Sequence, residues 1–141
     1  MTPRETIYQA LMDLLVDPEI KTLSRRLKHW SEVPPGDQPA LFITQKLETA
    51  KFTTRMPTSW VLSVDLWLYV NTGGDSDKTP MSIVNPILDR IVQKLLPASG
   101  VEEQTLGGLV ERCRIDGAIE TDEGVLGDQA IITIPVTMLV I

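Results

Sequence analysis

The side chains able to do chemistry in this sequence are few and lie far apart. The 141 residues hold one histidine, His29, and one cysteine, Cys113. A single cysteine forms no intrachain disulfide, and one Cys with one His cannot make a zinc site from those ligands alone. His29 stands between Lys28 and Trp30, with no Ser or Cys nucleophile in a recognised local motif. It therefore reads as a surface histidine rather than a general base. Cys113 falls on the core-facing phase of an alternating stretch, where a cysteine acts as a small buried hydrophobe.

The acidic residues Asp116, Glu120, Asp122, Glu123 and Asp128 crowd one stretch and raise the question of calcium. They lack the ligand spacing and terminal Glu of an EF-hand loop, so a solvated acidic turn is the better account. Gly73-Gly74 and Gly107-Gly108 belong to no GxxxxGK[ST] or GxGxxG pattern and read as turn glycines. No catalytic residue, cofactor or metal is expected. Contact chemistry is better represented. Arg25, Arg26 and Lys28 form a short basic stretch, either a solvated face or a site for phosphate or an acidic partner. Trp67 and Tyr69 carry no interleaved basic residues, and Asp65 on their face repels phosphate, so they read as interface or core rather than as a base-stacking platform.

The elements that must position these residues follow from periodicity. Thr2-Pro3-Arg4-Glu5 has the form of a capping box, and Ile7, Ala10, Leu11, Leu14 and Leu15 follow at helical spacing, predicting a helix over Pro3 to Val16 that ends at Asp17-Pro18. Ile20 to Leu27 fits a helical turn or a strand, with the strand preferred. Glu32 to Pro39 is a loop by composition, and Ala40 to Leu47 a short strand. Thr49 to Thr58 is polar, carries Lys51 and Arg55, and reads as a long hairpin arm or flexible loop suited to reach a neighbour.

Ser59 to Asn71 alternates strictly, with Leu62, Val64, Leu66 and Leu68 on an aliphatic core face. Thr72 to Lys78 is a solvent loop. A second helix then carries Ile83, Val84, Ile87, Leu88, Ile91 and Leu95, beginning either at Pro86 or near Pro80 with a kink. Val110 to Ile119 and Gln129 to Ile141 alternate as strands around a Gly/Asp/Glu-rich connection, and the last strand runs to the final residue. Pro135 lacks a ladder donor, which predicts an edge or locally bulged strand.

A chain of this length is most economically one domain over residues 1–141. The start MTPRETIYQ lacks the basic and apolar runs of a secretory signal, and no apolar run is long enough to span a bilayer, so a soluble, cytoplasm-made protein without membrane contact is expected. A net charge of −6 argues against a general nucleic-acid coat. The element order predicts an α+β fold of two layers: an antiparallel or mixed sheet of about four to five strands, with two helices packed on one face. Two helical stripes cover one sheet face only. The other, with Val61, Trp67, Tyr69, Ile131 and Leu139, is too apolar for water alone, and a partner surface is the simplest remedy.

Several stretches, in order, are similar to the tail terminator (tail completion, or minor tail) proteins of long-tailed bacteriophages and prophages. They are IYQALMDLL, SRRLKHW, QPALFITQ, WVLSVDLWLYVN, VNPILDRIVQKL and LGGLVERCRIDGAIETDEGVLGDQAIITIPV, covering most of the chain. None is a catalytic signature; order and spacing carry the match. The resemblance implies a small α+β subunit and no enzyme. It implies a ring homo-oligomer, typically a hexamer, that caps the head-proximal end of the tail tube, ends tube polymerisation and offers a surface for joining the head. The implied partners are further copies of the chain, the tail tube protein and a head connector protein. DNA passes through without specific binding, and the site of action is the virion tail, assembled in the host bacterial cytoplasm.

The residues expected at contacts are Arg25, Arg26, Lys51, Arg55, Val61, Trp67, Tyr69, Ile131, Leu139 and Ile141. A head-tail connector or other tube-associated protein fits the same physical reading. A small-molecule-binding α+β domain is the third class, and it would call for a monomer or dimer with a polar pocket.

Overall fold

The computed structural model describes residues 2–74 and 79–141, with the side chains of 124–126 outside the description. Part of the expected solvent loop, residues 75–78, therefore lies outside the described residues. Among the described residues the fold is α+β: two helices and a six-stranded mixed sheet.

Helix α1 runs over Arg4–Leu14. It is shorter than expected, and its start is built differently from a capping box. Pro3 is extended (φ −56°, ψ 138°), and no side chain caps the helix. The Pro3 carbonyl instead accepts from the N–H groups of Thr6 and Ile7. Glu5 does not reach back, because its carboxylate is held by Arg25 at 2.6 Å.

Strand β1, Thr22–Ser24, is a three-residue remnant of the expected Ile20 to Leu27, paired in parallel with Ala40 to Phe42 of β2. The Glu32 to Pro39 loop is partly ordered, as two 3₁₀ turns at Trp30–Glu32 and Pro35–Asp37. Strand β2, Ala40–Lys51, extends past the expected Leu47 and forms a long antiparallel hairpin with β3, Ser59–Asn71. The register shifts between Gln45 and Leu47, so that Lys46 is an inserted residue. Such an insertion bends the strand and re-aims the side chains beyond it. Three residues of the expected arm, Thr49 to Lys51, are therefore strand, and residues 52–58 form the hairpin connection.

Helix α2 spans Pro80–Leu95 with Pro86 inside it. The longer of the two expected helices forms, and Ser82, whose carbonyl lacks a donor from Pro86, is exposed along with Pro86 itself, where water can replace the missing bond.

The C-terminal block holds three strands rather than two: β4 (Arg112–Ile115), β5 (Glu120–Leu126) and β6 (Gln129–Val140). Sheet order is β1-β2-β3-β6-β4, with β5 also on β6. Strand β6 is thus internal, not the edge that Pro135 suggested. Its pairing with β3 is continuous from Gln129 to Val140. On its other side β4 stops at Ile115, opposite Val136, and β5 begins at Glu120, opposite Thr133. The Pro135 carbonyl accepts from Asp116 on that side. In an antiparallel strand the nitrogen of the same residue points the same way, so the missing donor falls in the gap between β4 and β5.

The main core gathers Ile7, Tyr8, Leu11 and Leu15 around α1 and Val84, Ile91 and Leu95 of α2. With them lie Leu62, Val64, Leu66 and Leu68 of β3 and the even-numbered residues of β6 from Ala130 to Val140. A second cluster holds Val33, Ala40, Phe42 and Tyr69, with Trp30, Trp67 and Ile131 packed against it. Its strand members, Ala40, Phe42, Trp67, Tyr69 and Ile131, belong to the opposite strand phase. The segment between Trp30 and Gln38 thus covers part of the face that the sequence left bare.

Candidate partner-binding surface

The ten residues expected at contacts separate into two groups, one spent on the fold and one left open. Tyr69 belongs to the first group. It is 4% exposed, its ring lies 5.3 Å from that of Phe42, and its hydroxyl donates to the Lys28 carbonyl at 2.7 Å. Burial pushes its phenol above the ordinary value. Trp67 donates from Nε1 to Thr44 Oγ1 at 2.9 Å and, with Ile131, packs against the second cluster. The expectation that these three form an open apolar face is corrected by the Trp30 to Gln38 segment, which supplies Trp30 and Val33 as cover.

Arg25 is likewise committed within the chain. It donates to both Glu5 carboxylate oxygens at 2.6 and 2.9 Å and to Gln45 Oε1 at 3.2 Å, and sits 5.7 Å from the centre of the Tyr8 ring. Beside it, Glu48 accepts from Arg4 Nε and from the Tyr8 hydroxyl, each at 2.8 Å. The Arg4 bond is the chief cause holding the Glu48 carboxyl below its usual value, while burial is the chief cause raising the Tyr8 phenol. This network fastens α1 to β2. Arg26 remains exposed beside a cleft lined by Met12, Ser24, Ile43 and Thr44.

The open group centres on the hairpin. Every residue from Thr49 to Thr58 is exposed, including Lys51 and Arg55. Pairing continues to Lys51 and Ser59, one step beyond Trp60, the last β3 residue with a β6 partner, so the tip stands past the end of the neighbouring strand. Phe52 is 79% and Met56 63% exposed. At the tip the Met56 N–H donates to the Thr53 carbonyl at 3.0 Å, and Arg55, third in this turn, has φ 68°. That is a type II turn, which favours Gly or Asn at this position. A non-glycine residue held there carries strain.

Below the tip, Val61 pairs with Thr49 on one side and Leu139 on the other, and Leu139 pairs with Arg112. Leu47, brought to this phase by the Lys46 insertion, is 59% exposed. Leu47, exposed, and Val61 and Leu139, half-buried, therefore lie on the part of the second sheet face outside the cluster that the Trp30 to Gln38 segment covers. Ile141 is 56% exposed.

Phe52, Met56 and Leu47 are exposed apolar side chains that the sequence reading does not single out. An isolated Phe in a polar stretch is a usable signal for the first. Leu47 offers none, since its phase depends on the bulge.

His29 caps the first 3₁₀ turn, its Nδ1 accepting from the Ser31 N–H. Cys113 is 1% exposed, and burial pushes its thiol up to about 12. The acidic stretch is strand rather than turn, Glu120 to Leu126 being β5; Asp116, Glu120, Glu123 and Asp128 are exposed as expected, while Asp122 has one carboxylate oxygen buried without a hydrogen-bond partner. Among the described residues, no group of three or more His, Cys, Asp or Glu side chains is placed to hold a metal ion, and no helix is long and apolar enough to cross a membrane. No protein-family model matches this chain, and no curated protein matches it either.

Proposed function

We propose that this chain is a structural protein of a phage tail. In this reading its copies form a ring that caps the head-proximal end of the tail tube, ends polymerisation and provides the head-joining surface. The observation that carries the reading is the hairpin from Thr49 to Thr58, exposed throughout and bearing Phe52 and Met56 beside Lys51 and Arg55. Exposed apolar side chains grouped on a paired strand stem mark a surface suited to docking, because burying them against a partner is favourable. The strip of Leu47, Val61 and Leu139 supports the same reading, as does the ordered similarity to tail terminators.

The mechanism is complementarity without bond making or breaking. One surface of the ring, closed as a hexamer, matches the last ring of tail tube protein; the opposite surface receives the head connector protein. DNA passes through the lumen without specific binding. The protein acts in the virion tail after assembly in the host cytoplasm.

The test is addition of the purified chain to tubes assembled from the cognate tube protein, followed by electron microscopy. The expected result is density at one tube end and arrest of growth there. Tubes that stay bare, or that are decorated along their length, overturn the proposal. A protein that binds only the head-side connector belongs to the connector class instead.

A further inference from the structure

We infer that the hairpin tip of one copy seats in an apolar groove at the opposite sheet edge of a second copy. The groove lies between the end of α2 and β4, has a volume of about 490 Å³, and its lining includes Leu96, Pro97, Ile115 and Ile119 together with Glu102 and Glu103. Leu96 is 48% and Ile119 37% exposed, so the groove presents apolar surface that its own chain leaves open. Its volume falls within the roughly 300–1,000 Å³ range of clefts that enclose a ligand, room enough for a Phe and a Met side chain.

The tip and the groove complement each other in charge as well as in hydrophobicity. The tip offers Phe52 and Met56 with the cations Lys51 and Arg55, while the groove offers an apolar floor with two carboxylates against one cation, Arg114. The tip from Thr49 to Thr58 contains no acidic residue. Within one chain the two surfaces lie apart, with β6 between β3 and β4. Strands β3 and β6 separate β2 from β4, about 14 Å at the usual strand spacing. Pairing through Lys51 and Ser59, together with the Thr53 to Met56 turn, fixes the tip to the β2–β3 stem. A contact between two different surfaces repeats from copy to copy and closes into a ring or continues as a filament. The inference rests on the ring reading in that it names the contact between copies, yet it can fail alone.

The test uses two charge-reversed full chains. One carries Lys51→Glu and Arg55→Glu, and so has an acidic tip and an acidic groove; the other carries Glu102→Lys and Glu103→Lys, and so has a basic tip and a basic groove. Sedimentation velocity at high micromolar concentration should show the unaltered chain associating and each variant alone weakened at least about tenfold. An equal mixture should recover association, because each tip then meets a groove of opposite charge. Both variants keep a net negative charge, so attraction between whole molecules does not account for the recovery. Circular dichroism confirms that each is folded, and Phe52→Ser, which leaves the charges intact, should also weaken association. An unaltered chain that stays monomeric, a variant that associates unchanged, or a mixture no tighter than its components overturns the inference. The tube-end assay separates the two readings: capping that persists despite any of these results leaves the tail proposal standing, while recovered pairing without capping removes only that proposal.

Discussion

Gln38 and Gln129, 91 residues apart in sequence, exchange a reciprocal pair of amide hydrogen bonds at 2.9 and 3.0 Å in the protein interior. The second N–H of each amide is also used, Gln38 donating to the Val33 carbonyl and Gln129 to that of Ala130. Buried amides are tolerated when satisfied and costly when one partner is removed. The pair pins the Trp30 to Gln38 segment to the start of β6, and with it the cover over Phe42 and Tyr69. Gln38→Ala is expected to lower stability by about 2 kcal/mol in urea unfolding. A double-mutant cycle with Gln129→Ala should return a coupling of about 1 kcal/mol. The tryptophan emission of the folded variant should shift to the red as Trp30 and Trp67 gain water.

Asp17 ties the chain after α1 to α2. Its side chain is 3% exposed and accepts from Arg90 at 2.9 and 3.2 Å, with Lys94 at 3.4 Å. The Arg90 bond is the leading cause that lowers its carboxyl to about 2. Because the folded value lies below the unfolded one, this stabilisation is complete above the ordinary Asp range near pH 4 and is lost as pH falls toward 2. Asp17→Asn should therefore destabilise at pH 7 by about 1–2 kcal/mol and much less near pH 2. Urea midpoints for both chains at the two pH values check this.

Cys113 lies in the core with its thiol raised to about 12, so almost no thiolate exists at neutral pH and reagents cannot reach it. Its reaction with a thiol-specific chromogen is expected to follow unfolding, slow in buffer and complete within mixing time in denaturant. Rapid labelling of the folded chain would contradict the burial.

Arg55 holds a left-handed φ in the hairpin turn. Arg55→Gly removes the strain and should raise stability by up to about 1 kcal/mol, offset in part by the greater freedom of glycine in the unfolded chain. The same change deletes a tip cation, so association between copies should weaken while thermal unfolding shifts upward. Opposite movements of the two measurements are the signature of a tip strained for contact.

Leu139 pairs with Val61 on the second sheet face. Leu139→Ser is expected to change stability by about 0.5–1 kcal/mol, well below the cost of truncating a core side chain such as Ile134, and to impair tube-end capping. Chemical unfolding together with the tube assay separates the two effects.

The sequence by itself determined the strictly periodic parts of this protein. Ser59 to Asn71 and the even-numbered residues of the last strand alternate so cleanly that only one face can be buried, and the aliphatic stripes of both helices leave as little choice. The burial of Cys113 followed from the same period. Tertiary structure decided what depends on a partner distant in the chain. The capping box at Thr2 to Glu5 gave way because Arg25 takes Glu5, and the strand at Ile20 shrank to the three residues that find a place beside β2. Strand β5 is acidic and weakly patterned, and it exists because β6 has an open side beyond Pro135. Above all, a residue's period says that it lies on the second face of the sheet but not whether its own chain returns to cover it. Tyr69 and Val61 share that phase; the Gln38–Gln129 bond brings cover to one, which is buried, and the other stays half-buried.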